Sequence, residues 1–268
     1  MTVLVADDLR LGYGDTIVVN GLSLDLTGAG VTAIIGPNGC GKSTLLRGLG
    51  RLIKPRGGRV LLDGSDLARL PTKEVARRMA VLPQAPQAPA GLTVADLVGR
   101  GRHPHQTWYR QWSAADAEIV AAALAKTGMT DLAHRPLDEL SGGQRQRAWI
   151  SMALAQDTGL LLLDEPTTFL DLAHQIEVLE LVRRLHTEHG RTVVVVLHDL
   201  NLAARYAHRL VAMRDGQVVA VGEPVTVLTE ELVHDVFGLA AQVIEDPVAG
   251  TPLVVPLGGR HLADHRTG

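Results

Sequence analysis

The chain has 268 residues, is 46% hydrophobic and carries a formal net charge of -3 with one cysteine, Cys40. That length suits one large α/β domain, or one domain with an insert. The charge leaves no overall basic footprint for nucleic acid, and a single cysteine rules out an internal disulfide framework.

No apolar run reaches the length of a membrane span. The opening MTVLVADDLR holds two aspartates and lacks the basic start of a secretory signal, so folding in the cytosol is expected. In chain order, residues 3–14 read as a strand. Residues 30–36, GVTAIIG, read as a short buried strand, and KSTLLRGL at 42–49 as a helix directly behind it. Residues 58–64 form another strand ending in a turn. Residues 83–93, PQAPQAPAGLT, are too rich in proline for a helix or a central strand. Residues 94–128 read as mainly helical. Strand texture returns at GLLLLD (159–164) and TVVVVLHD (192–199), two continuous apolar runs of the kind covered on both faces. A helix at 173–186 makes the crossover between them.

The fold class predicted is therefore α/β: a P-loop NTPase core with an antiparallel β portion at the N-terminus and an inserted α-helical subdomain. The expected division is 1–84 (core, first part), 85–140 (helical insert), 141–240 (core, second part) and 241–268 (tail).

Gly36-Pro37-Asn38-Gly39-Cys40-Gly41-Lys42-Ser43 fits G-x-x-x-x-G-K-[ST]. Glycines let the backbone curl until several N–H groups face an anion. A helix starting near Lys42 adds its positive end. Lys42 supplies a mobile cation for the β- and γ-phosphates, and the Ser43 hydroxyl can ligate Mg2+. A glycine turn with an incidental lysine is the plain alternative; the position between a strand and a helix argues against it.

Asp164 and Glu165 end a buried strand, where ligands bind in open α/β sheets. Asp164 is placed to hold Mg2+, and Glu165 to polarise an attacking water. LSGGQRQR at 140–147 puts a serine and two glycines before a long apolar helix, a second helix start suited to an anion. Alone, it would be an ordinary capped helix.

Together these motifs resemble the ATP-binding-cassette (ABC) ATPases, over nearly the whole chain and in that family's order. The resemblance implies roles. Tyr13 would stack on adenine. Residues 36–44, Gly36 to Thr44, would form the Walker A loop. Gln84 would form the Q-loop and contact Mg2+ with Ser43 and Asp164. Ser141, Gly142, Gly143 and Gln144 would form the signature that completes the nucleotide site of a second copy. Asp171 would link the two copies, and His198 would sense the γ-phosphate beside the catalytic Glu165. ATP would be the substrate and Mg2+ the cofactor.

The finer likeness, carried by VGRGRHPHQTWYRQW (98–112), DPVAGTPLVVPLG (246–258) and LHDLN (197–201), is to the ATPases of ferric-siderophore importers of the ferric-enterobactin type. It implies a homodimer under two transmembrane permease subunits, served indirectly by a substrate-binding protein, at the cytoplasmic face of the membrane. Cobalamin or haem import is the near alternative. A soluble ABC-type ATPase in translation or DNA repair is the distant one, disfavoured by the single motif set and the lack of heptads. Residues 102–112, with Arg102 and Arg110, are expected to meet the permease. The basic and aromatic patch at 108–112 is read as a contact surface, with no nucleic-acid partner. His103, His105, His186 and His189 are expected to be solvated, without a metal. Cys40 is expected to be open to alkylation when the loop is empty.

Overall fold

The structure, a computed structural model, describes residues 3–28, 30–107 and 112–258. β1 (Leu4–Tyr13) and β2 (Thr16–Asp25) pair antiparallel. β3 (Val31–Ile35) runs through the glycine loop into α1 (Lys42–Leu49). β4 (Gly57–Leu62) and β5 (Ser65–Asp66) then complete a first sheet of order β2-β1-β4-β5.

α2 (Thr72–Arg78) and β6 (Met79–Leu82) follow, then α3 (Val94–Arg100), α4 (Ala114–Lys126) and α5 (Gly142–Ala155). β7 (Leu160–Leu163), α6 (Leu172–Thr187), β8 (Thr192–Val196), α7 (Leu200–Tyr206) and β9 (Arg209–Arg214) return the chain to the core. β10 (Gln217–Gly222), α8 (Pro224–Val227), α9 (Glu230–Phe237) and a hairpin of β11 (Ala241–Glu245) with β12 (Pro252–Pro256) close it.

The second sheet has order β10-β9-β3-β8-β7-β6, parallel except for the β10 edge. Its central strands are buried throughout, and alternate residues enter two different cores. Ile34, Leu160, Leu162, Val194 and Val196 pack with α1 and the first sheet. Ala33, Leu161, Leu163, Val193 and Val195 pack with the helices on the other face. A strand covered on both faces needs apolar residues at every position, which is why LLLL and TVVVV lose the usual alternation.

Register brings the strand ends level. Leu82 pairs with Leu163, Leu163 with Val195, and Ile34 with Val196. The residues that follow these ends, Gln84, Asp164, His198 and Gly36, therefore emerge along one edge of the sheet, the edge where parallel sheets bind ligands.

α3, α4 and α5 pack on one another, so the helical layer runs on beyond residue 140 to Ala155. Inside it lies a correction. Arg102 is buried, with Nε 2.8 Å from Asp116 Oδ1 and Nη1 donating to the Ala155 carbonyl at 2.8 Å. It ties α3, α4 and α5 together instead of facing a permease. Arg110 lies outside the described residues, as do the others at 108–111.

The Arg102 guanidinium and the Ser113 hydroxyl hold the Asp116 carboxyl below the usual carboxylate range. Arg102→Ala is expected to cost about 3 kcal/mol of stability in urea unfolding, the low end for breaking a buried pair. The low end applies because the two side chains keep 7% and 11% exposure.

Candidate functional site

The edge described above opens as a cleft of about 490 Å3, lined by Val18, by Asn38, Gly39 and residues 41–44 of the loop and helix, and by Gln84, Glu165 and His198. Its floor is the glycine loop. Gly36 has φ +154, and a Cβ there would lie 2.3 Å from the Met213 carbonyl, so only glycine fits. Gly41 (φ +102) starts α1 with no side-chain cap. The first backbone N–H groups of that helix, which cannot bond within it, are left for a ligand.

Lys42, 4% exposed, lays its ammonium across the loop, 2.8 Å from the Gly36 carbonyl and 3.0 Å from that of Pro37. Cys40 is buried and its thiol is pushed up by burial, so the expectation of an alkylable loop cysteine is not supported.

Ser43 Oγ donates to Asp164 Oδ1 at 2.7 Å. Burial pushes the Asp164 carboxyl up, against the opposing pull of Ser43 and of Arg47, whose Nε lies 3.6 Å from Oδ2. Asp164 Oδ2 is buried without a hydrogen-bond partner. These oxygen donors, one hydroxyl and one carboxylate whose Oδ2 has no hydrogen bond and meets only Arg47 at 3.6 Å, are of the kind that suits a hard cation.

Glu165 lines the cleft with φ +51, a conformation uncommon for a residue with a Cβ. Its carboxylate gathers three side chains, two from the loops that follow β6 and β8 and one from its own turn. His198 Nε2 lies 2.7 Å from Oε1, the Gln84 amide donates to Oε2, and Thr168 Oγ1 donates to Oε2 at 3.1 Å.

Sequence-predicted residues outside the cleft form two groups. Tyr13 ends β1, 46% exposed, its hydroxyl 3.5 Å from Arg47 Nη1. The signature stands apart. Ser141 caps α5 in a reciprocal pair: its hydroxyl accepts from the Gln144 N–H at 3.3 Å, and the Gln144 side chain accepts from the Ser141 N–H at 3.1 Å. Gly143 is buried against the His174 ring, where a Cβ would fall 2.4 Å away. His174 in turn bonds Asp171, the N-cap of α6. The signature and Asp171 thus form one ridge, and none of its residues lines the chain's own cleft.

Arg47 and Thr168 were not anticipated. Arg47 was legible: it stands four residues after Ser43, so both face the same side of α1. Thr168 depends on a tight turn that no periodicity signals. Among the described histidines, His105 Nε2 meets the Gln156 carbonyl at 2.8 Å, and His186 packs edge-on against His208 at 4.9 Å. His186 is therefore part-buried, not solvated. No cluster of three or more His, Cys, Asp or Glu suited to a metal occurs among the described residues.

Residues 19–168 match the family model described as ABC transporter. The chain is 56% identical over 255 residues to the petrobactin import ATP-binding protein FpuD of Bacillus anthracis, covering 95% of this chain and 93% of that one. It is 53% identical over 255 residues to the ferric enterobactin transport ATP-binding protein FepC of Escherichia coli (strain K12), covering 95% and 94%. Its fold is similar to that in the dimeric structure of MJ0796, a bacterial ABC transporter cassette, with TM-score 0.72 and 28% identity over 82% of this chain and 98% of that one. The phosphate-loop cleft, the outlying signature and these matches agree, and the chain belongs to the ABC transporter family.

Proposed function

We propose that this chain is the ATP-hydrolysing, energy-coupling subunit of an importer for ferric siderophores. The observation that carries the hydrolytic reading is Glu165, which lines the Lys42 cleft and whose carboxylate is shared by His198, Gln84 and Thr168. The siderophore reading is supported by relatives above 50% identity whose names specify petrobactin and ferric enterobactin.

In this reading the loop N–H groups and Lys42 hold the ATP phosphates, and Tyr13 stacks on the adenine. Ser43, Asp164 and Gln84 would hold Mg2+, which would supply charge neutralisation for the phosphates. Glu165 takes the proton of the attacking water, help worth roughly 10²–10⁴-fold. His198 contacts the γ-phosphate and keeps Glu165 in place.

The signature ridge of one copy closes the cleft of a second copy. One chain carries half of each site, which explains why Ser141 and Gly142 are exposed and lie outside their own cleft. The assembled importer contains two such chains beneath two permease subunits, fed by a substrate-binding protein. No helix among the described residues is long and apolar enough to cross a membrane; in this reading the chain attaches at the cytoplasmic face through the permeases.

Cells lacking this chain should fail to grow on a ferric siderophore as sole iron source and recover when iron arrives by another route. Uptake of radiolabelled iron from each siderophore measures this. Normal uptake from every siderophore tested, beside defective uptake of cobalamin or haem, would keep the ATPase and overturn the substrate.

A further inference from the structure

LHDLN at 197–201 contains His198, but Asn201 has no part in the cleft. The structure gives it another partner. Its Oδ1 accepts from the Val254 N–H at 2.7 Å, and its Nδ2 donates to the Val254 carbonyl at 3.2 Å. One amide thus takes both backbone groups of a single residue, as a neighbouring strand would.

Val254 lies in β12, so residues 241–258, expected to be a tail, form an ordered hairpin docked on α7. Val254 is 5% exposed and shares a core with Leu202 and Ala203 of α7. The turn between its strands is held by Asp246, which accepts from the Val248 and Ala249 N–H groups at 2.8 and 3.2 Å.

α7 is seven residues long and begins two residues after His198. Two side chains fix its first turn: Asp199, which caps it by accepting from the Leu202 N–H at 2.8 Å, and Asn201 with its two bonds to Val254. On the other side of His198, Leu197 bonds the Ile34 carbonyl at 3.2 Å. The histidine therefore hangs between a rigid strand and a short helix whose outer anchor is the hairpin.

We propose that Asn201 is a positioning residue: it clamps the C-terminal hairpin to the first turn of α7, and through that turn holds His198 against Glu165. The inference rests on the hydrolytic reading of Glu165 and His198. It makes the hairpin part of the ATPase machinery, about 50 residues along the chain from the group it steadies.

Asn201→Ala removes both bonds and changes no side chain that lines the cleft. ATP hydrolysis should slow by roughly tenfold, within what small misplacement of a reacting group can cost, with KM and the affinity for a fluorescent ATP analogue within about twofold of the parent. Val254→Pro deletes the donor N–H from the other side and should give the same kcat-only loss, which serves if Asn201→Ala folds poorly. Because Asn201 acts through His198, Asn201→Ala added to His198→Ala should bring no further loss.

A parent kcat in both Asn201→Ala and Val254→Pro, beside the expected defect in His198→Ala, would overturn the clamp and leave the hydrolytic reading standing. A further multiplicative loss in the double variant would also overturn it. Parent-rate hydrolysis by His198→Ala itself would remove the reading on which the clamp rests.

Discussion

A Glu165→Gln chain should bind ATP, pair with a second copy and hydrolyse at most about a hundredth as fast as the parent, since it discards a general base. Glutamine keeps the length and shape of the side chain and can still meet His198 and Gln84. What it lacks is an oxygen basic enough to take a proton from water. Glu165 is 9% exposed and adopts φ +51, a backbone cost that persists only where the surroundings impose it. Both residues bear that cost alike, so stability should change little and the loss should fall on chemistry. Phosphate release in a single turnover measures it. Parent-rate release would move the base to another residue, and loss of ATP binding would recast Glu165 as a binding group.

Lys42→Ala should weaken ATP binding and, with it, turnover. Among the described residues that line the cleft, Lys42 is the one lysine or arginine. Charge-assisted hydrogen bonds are worth about 1.5–3 kcal/mol each, so ATP affinity should fall roughly tenfold to a hundredfold. The fold should survive, because the loop loses the two Lys42 bonds to Gly36 and Pro37 but keeps its glycines and the Cys40 N–H to Pro37 carbonyl bond at 3.3 Å. Titration with a fluorescent nucleotide, beside a thermal melt, separates the two effects. Unchanged affinity would sink the phosphate-loop assignment.

The cleft was legible because its parts are local patterns at strand ends. The glycine loop lies between a buried strand and a helix, and the apolar runs LLLL and TVVVV announce where Asp164 and His198 emerge. Register then does what no local pattern shows: it sets Leu82, Leu163 and Val195 side by side, so that Gln84, Glu165 and His198 converge.

Less legible were the elements whose partners are distant in sequence. β2 pairs with β1 through irregular register, with shifts around Leu9 and Leu11 that break the period of two. β10 is an edge strand, VVAV flanked by a glutamine and a glycine, whose exposed valines read as core from sequence alone. The C-terminal hairpin looked like a tail because its anchor, Asn201, is a single polar residue 53 positions away. Arg102 misled for the opposite reason. A charge in a run of charges and aromatics reads as surface, and only the fold reveals Asp116 opposite it.

The central claim is that each ATP site is built from two copies of this chain, one lending the Lys42 loop and the other the Ser141 ridge. Mixing Lys42→Ala chains with Ser141→Arg chains tests it most directly. Ser141→Arg forfeits the α5 cap, a loss of about 1 kcal/mol, but leaves its own loop intact. A heterodimer of the two holds one site with an intact loop facing an intact signature, and one site with both lesions. ATPase activity in the mixture should rise well above that of either variant alone. No recovery, with heterodimers demonstrated by mass, would contradict assembly of the site across two chains.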